Sequence, residues 1–196
     1  MPKIIYYSKD KPLEVNQYVQ MLIQALSKVE ECYLGYEDIK LFEDKVEKNT
    51  IRAERVFAYE LYHQFRLLMK EDCGYYLNGE IRKSNKVFKW ENQKDCYPDL
   101  VLHGNPTCID KESQYFLCEI KMSTNQYLLN DLLKLSKFFM SDLEFQNYIF
   151  LCVGLSKDDM QKKIEESKNE YDKRILCICR KDENIEVFDL DFITSS

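Results

Sequence analysis

Two apolar runs in the middle of the chain carry charge where burial should forbid it. Pro98, Asp99, Leu100 and Val101 open the first, and residues Phe116 to Lys121 form the second. In the second run Glu119 and Lys121 are two residues apart, a spacing that puts both on one face of a strand. The other face would be Phe116, Cys118, Ile120 and Met122, all apolar. A carboxylate and an ammonium group thus stand together in a segment otherwise fit for a core. Buried charges are costly unless they are paired or bind a metal. Asp99, at the mouth of the preceding strand, supplies a second carboxylate to the same place. Two carboxylates form an oxygen-rich site for a hard cation, and a lysine beside them can orient a water molecule or offset developing negative charge.

An acidic residue followed two positions later by Lys occurs four times, at Asp38, Glu43, Glu119 and Glu166. Three of these lie in polar, charge-dense stretches that read as solvated helix faces. Only Glu119 and Lys121 sit in a strand-like apolar run and follow a Pro-Asp that opens another. The loop between the runs, His103 to Gln114, holds Gly104, Asn105, Pro106 and Asp110, a composition suited to a hairpin. Leu128, Leu129, Leu132, Leu133, Leu135, Phe138 and Phe139 then recur at helical spacing.

That order of elements, with Pro98-Asp99 and Glu119-Ile120-Lys121 in place, resembles the PD-(D/E)XK nuclease superfamily, also called restriction-endonuclease-like, over about residues 50 to 155. The resemblance implies a core of one helix, three antiparallel-type strands, a second helix and a further strand. It also implies phosphodiester hydrolysis, most simply of DNA, with Mg²⁺ or Mn²⁺ held by Asp99, Glu119 and the Ile120 carbonyl, and Lys121 acting on the reacting centre. The first core helix often adds a Glu in that family. Residues 51–70 supply the helix: Ala53, Phe57, Leu61, Phe65 and Leu68 form an apolar arc, with Glu60 and Gln64 inside it and Glu54 near its edge. Glu60 is the first choice for the site and Glu54 the reserve. A carboxylate inside such an arc also has a structural explanation, a salt bridge or a hydrogen bond to a loop. His63 lies off the arc and reads as surface.

In the helix after the motif, Asp131 followed by Lys134 is similar to a pattern many members carry. The two would pair as helix neighbours, or Lys134 would help hold the scissile phosphate. Gln126 and Tyr127 stand at that helix start and also qualify for the cleft. Arg82, Lys83, Lys86 and Lys89, with Trp90 interleaved, form a basic stretch before Pro98 that suits contact with a nucleic-acid backbone and base, or simply an exposed solubilising hairpin.

The formal net charge of −6 sits awkwardly with a nucleic-acid enzyme, but the acid is concentrated in residues 30–47 and 158–172. With 196 residues the chain is expected to form one domain with a full core. The opening Met-Pro-Lys has no long uncharged run behind it, and no apolar stretch reaches membrane-spanning length, so no secretory leader and no membrane partner are expected. Eight cysteines without a Cys-x-x-Cys pair, four of them in strand-like runs (Cys118, Cys152, Cys177, Cys179), read as reduced, buried thiols of a cytoplasmic protein. Two histidines and no Gly-x-Ser-x-Gly give little support to Ser or Cys nucleophile chemistry, and five glycines leave no phosphate-cradling loop of a kinase or dinucleotide fold.

The expected architecture is α/β, a mixed central sheet flanked by helices. Residues 1–49 form an N-terminal helical extension packed on the core, 50–155 the nuclease-like core, and 156–196 a helix and β-hairpin. Within this frame, residues 3–7 are extended, 15–29 helical and 36–48 a charged helix, with Asn49 and Thr50 capping the next. Strands are expected at 75–82, 86–90 and 148–153, a polar helix at 158–171, and a closing hairpin about Asp182, Glu183 and Asn184. The N-terminal helices would serve dimerisation, making a homodimer, or substrate choice. Two rivals to a nuclease remain: a catalytically silent nucleic-acid-binding or protein-interaction module on the same fold, and a purely structural cluster in which Lys121 neutralises the acids.

Overall fold

The apolar spacing of residues 15–29 becomes helix α1 (Gln17–Lys28) in the computed structural model, with Val19, Leu22, Ile23 and Leu26 buried along one stripe. The Asn16 side-chain oxygen accepts from the backbone N–H groups of Tyr18 and Val19 at 3.1 and 3.0 Å, satisfying two donors that every helix start leaves unpaired. The structure describes residues 2–8, 13, 15–34, 36–42, 45–51, 54–70, 74–79, 98–104, 110–123, 128–138, 144–167 and 169–194, with backbone only for 36–42, 45–51, 137–138 and 193–194.

Helix α2 (Glu54–Leu68) buries Phe57, Leu61 and Phe65, three of the five residues of the expected arc. These two helices cover one face of a seven-stranded mixed sheet. In chain order its strands are β1 (Lys3–Tyr6), β4 (Tyr76–Gly79), β5 (Leu100–His103), β6 (Gln114–Met122), β7 (Asn147–Val153), β8 (Leu176–Lys181) and β9 (Asn184–Asp189). Their order in space is β1-β9-β8-β7-β6-β5-β4. β4, β5 and β6 are antiparallel neighbours, β6, β7 and β8 run parallel, β8 and β9 form the closing hairpin, and β1 lies parallel to β9. Helices α3 (Leu128–Phe138), α4 (Lys157–Ser167) and α5 (Leu190–Thr194) belong to the opposite face.

Strand alternation divides β6 as its sequence requires. Phe116, Cys118, Ile120 and Met122 join the core beneath α1 and α2, and Leu117 joins the core beneath α3 and α4. The chain is therefore α/β, three layers deep, and among the described residues no helix is long and apolar enough to cross a membrane. Cys118, Cys152, Cys177 and Cys179 are buried and free, as their strand positions suggested.

Two expectations are corrected. Residues 36–48 are not a helix: Tyr36–Phe42 (β2) and Lys45–Ile51 (β3) form an antiparallel hairpin of their own, so Asn49 and Thr50 are strand residues and not caps. Ile39, Phe42, Val46, Thr50 and Ile51 favour extended backbone, and charge density had obscured that preference. Nor are residues 1–49 only a helical extension, because β1 is an edge strand of the main sheet.

Arg180 ties the first helix to the sheet. From β8 its guanidinium donates to the carbonyls of Leu26 and Val29, the latter at 2.8 Å, where a helix end presents partial negative charge. Burial pushes its pKa down while Glu31 opposes the shift. Arg180→Met keeps most of the stem volume and strands both carbonyls. It is expected to cost about 2–3 kcal/mol, read as a lower urea midpoint at unchanged slope.

Candidate active site

Strand β5 is shorter than β6, and the difference makes the site. The β5–β6 ladder ends at Leu100 opposite Cys118. Continued two steps in that register, Pro98 would face Ile120, and Pro98 has no N–H to give. The Ile120 N–H instead donates to Asp99 Oδ2 at 2.7 Å. Within a strand, a residue's N–H and C=O point to the same side, so the Ile120 carbonyl is aimed toward Asp99 as well.

Glu119 and Lys121 project from the β6 face that carries Leu117, as their spacing predicted. Both are nearly closed off from solvent, at 6% and 8% exposure. Lys121 Nζ lies 2.8 Å from Glu54 Oε1, 3.5 Å from Asp131 Oδ2 and 3.9 Å from Asp99 Oδ2. Glu54 stands in the first turn of α2, where the helix dipole favours a carboxylate, and Asp131 in the first turn of α3. Helices from opposite faces of the sheet therefore deliver their N-terminal carboxylates to one lysine at the sheet's end.

The electrostatics follow from this crowding. Burial pushes the Asp99 carboxyl up; the ammonium of Lys121 and the Ile120 N–H oppose the shift, and Glu54 adds to it. Glu119 is pushed well up, by burial first and by Asp99 second. The two carboxyls lie close enough to influence each other, so the protons they bind belong to the pair. Burial alone would lower the Lys121 pKa, but Asp99, the hydrogen bond to Glu54, and Asp131 together hold it above its ordinary value. Lys121 is thus a fixed cation near neutral pH and not a base.

The structure brings Asp99, Glu119, Ile120 and Lys121 together and leaves Glu60 out. Glu60 accepts from Gln64 Nε2 at 2.7 Å and faces Tyr33 of the 3-10 turn Glu31–Tyr33, whose phenol it pushes up. Six residues separate Glu54 from Glu60, which is about 120° of helical rotation and about 9 Å of rise, so one helix cannot aim both at the same point. Glu54, the residue at the arc's edge, is the one at the site. His63 is exposed, as expected.

Asp131 was expected only as a partner of Lys134. That pair forms, with Lys134 more than half exposed, but Asp131 is buried and its second oxygen reaches Lys121. The signal was its place three residues after Leu128 and one before Leu132, close to the stripe that α3 buries. Arg82, Lys83, Lys86, Lys89, Trp90, Gln126 and Tyr127 lie outside the described residues.

Among the described residues no three His, Cys, Asp or Glu side chains form a ready-made metal cage. The donors at β5 and β6 suit Mg²⁺ nonetheless, since that ion keeps several waters and takes one or two carboxylates. Four acidic side chains, Glu54, Asp99, Glu119 and Asp131, gather about Lys121 and Lys134. A divalent cation would offset the excess of acidic over basic groups. Beside the site lies a cleft of about 820 Å³ between α2 and strands β4 and β5, with Glu54 and Asp99 in its wall.

Comparison with protein-family models, with curated proteins and with solved structures returns no match to this chain.

Proposed function

We propose that the chain is a Mg²⁺- or Mn²⁺-dependent nuclease that hydrolyses phosphodiester bonds, with DNA as its substrate, on a restriction-endonuclease-like core. The observation that carries this reading is the meeting of Asp99, Glu119 and Lys121 at one end of the sheet, where burial pushes both carboxyls up. The element order supports it as well: α2, antiparallel β4, β5 and β6, then α3, then β7 parallel to β6. Free, buried cysteines suit a reducing, cytoplasmic setting.

Asp99, Glu119 and the Ile120 carbonyl would hold the cation, with Glu54 as the nearest carboxylate from the first core helix. The bound metal would polarise a phosphate oxygen and acidify the attacking water. Lys121, kept protonated by Glu54 and Asp131, orients that water through its N–H groups and offsets negative charge as it builds on the phosphate. Asp131 also holds Lys134 at the rim, where its ammonium can meet a backbone phosphate.

One observation favours a second reading. Lys121 already has three carboxylate neighbours, so the cluster could serve stability alone in a catalytically silent binding module. Titration of Mg²⁺ and Mn²⁺ against single- and double-stranded DNA and RNA separates the two. Metal-dependent cleavage of DNA is the expected result. Folded protein that cleaves no substrate with either ion would leave the silent module.

A further inference from the structure

Resting on the nuclease reading, we infer that the cleft beside α2 takes an unpaired stretch of the nucleic-acid strand next to the scissile phosphate, with a base stacked on Tyr59. The enzyme then acts on single-stranded or locally opened substrate and not on an intact double helix.

The reacting groups are recessed. Lys121 and Glu119 are almost fully buried, and the side of the site at Glu54 and Asp99 opens into the cleft of about 820 Å³. That volume is in the range of pockets that hold one or two small-molecule units, about 300–1,000 Å³. A duplex, whose major groove alone is about 12 Å wide, does not enter it. A strand reaching Lys121 by this route must leave its partner, as substrates of enzymes with recessed sites do.

The cleft exists because its facing walls are small. Ala58 lines it from α2 and Gly79 from β4. Leu77, two residues before Gly79, packs into the core beneath α2, so strand alternation aims position 79 at α2 as well. Among the described residues a Cβ at Gly79 would meet nothing closer than the Asp99 carbonyl oxygen at 3.5 Å, so a larger side chain there would extend into the cleft.

The walls also present aromatic faces. Tyr59 lines the cleft yet is 62% exposed. Tyr62, one turn on, is fixed by its hydroxyl donating to the Leu77 carbonyl at 3.2 Å. Among the described lining residues Arg55 is the one cation, beside the acidic Glu54 and Asp99 in the same wall. Aromatic faces outnumber cations among the described lining residues, so stacking is the contact they offer a strand. Stacking tolerates any base, because every base has a π-face.

The test is binding of a fluorescent short oligothymidylate in EDTA, followed by cleavage in Mn²⁺ of that strand and of a blunt duplex. Wild-type protein is expected to bind the single strand, and to bind the duplex roughly tenfold or more weakly. Tyr59→Ala should weaken single-strand binding roughly 5- to 150-fold, the range for loss of one stacked base. Tyr59→Phe should stay close to wild type. Gly79→Leu, shown folded by circular dichroism, should lose binding by filling the cleft. Unchanged binding by Tyr59→Ala, no binding by folded wild type, or duplex bound and cleaved as well as single strand would each overturn the inference. Cleavage of duplex in that last case leaves the nuclease reading standing. Tyr59-dependent binding with no cleavage in Mn²⁺ does the reverse.

Discussion

Replacing Lys121 by alanine is expected to lower the rate of metal-dependent cleavage by about 10²–10³-fold, the usual cost of losing one preorganised group aimed at transition-state charge. The drop should appear in kcat more than in KM, because Lys121 acts on the reacting phosphate and not on substrate affinity. The same change removes the cation that Glu54, Asp99 and Asp131 surround. Truncating one partner of a buried ionic cluster costs about 3–5 kcal/mol when the others stay charged. In EDTA the variant should therefore melt well below wild type. Mn²⁺ brings positive charge to the same carboxylates, so it should restore much of the melting temperature without restoring the rate. Thermal melts and initial rates with and without Mn²⁺ check both halves. Melting of wild type that ignores Mn²⁺, together with a Lys121→Ala collapse that Mn²⁺ does not relieve, would make the cluster structural and remove the basis for a nuclease.

Asp99→Asn should separate metal binding from folding in the opposite direction. Burial raises the carboxyls of Asp99 and Glu119 in the folded chain above their ordinary values of 3.8 and 4.5. A group with a raised folded pKa contributes stability that is complete below its unfolded pKa and is lost as pH rises through the folded value. Metal-free wild type should accordingly lose stability as pH rises from about 4, where the unfolded carboxyls ionise and the folded pair still holds its proton. Metal ions compete with that proton, so Mn²⁺ affinity should rise over the same interval.

At 100 times its dissociation constant Mn²⁺ stabilises by about 2.7 kcal/mol, or about 5–11 °C for a domain of this size. Asparagine keeps an oxygen for the Ile120 N–H but removes the charge that repels Glu119. Asp99→Asn should therefore be as stable as wild type or more so in EDTA, show a flatter pH dependence, and lose most of the Mn²⁺ shift along with cleavage. Melting curves across pH 5 to 8 read all three. A full Mn²⁺ shift retained by Asp99→Asn would remove Asp99 from the metal site.

Period alone placed much of this molecule. Alternation in residues 116–122 put the apolar half against α1 and α2 and left Glu119 and Lys121 together on the other face. Helical spacing located α1, α2 and α3, and turn chemistry located the hairpin about Asp182, which takes the left-handed φ of 52° there. These are local properties, repeated every two or every 3.6 residues, so a linear chain displays them. Residues 36–48 failed the same test because their charges occupy both sides of any period, and pairing across the β2–β3 hairpin overrode the helical reading.

The contents of the site beyond the motif were decided only in three dimensions. A helical wheel gives each residue's angle to the apolar stripe but not which end of the helix abuts the sheet's open edge. The edge residue Glu54 reached Lys121, and Glu60, better centred in the arc, stayed with Gln64. Asp131 looked like half of a surface pair until α3 laid its first turn over β6. The parallel pairing of β1 with β9 and the clamp from Arg180 to Leu26 and Val29 join residues some 150 or more apart in the chain. Sequence determined which side chains carry charge into the core and on which face of each element they lie. Tertiary structure decided which of them meet, because a meeting depends on where separate elements end in space, and no period within one element encodes that.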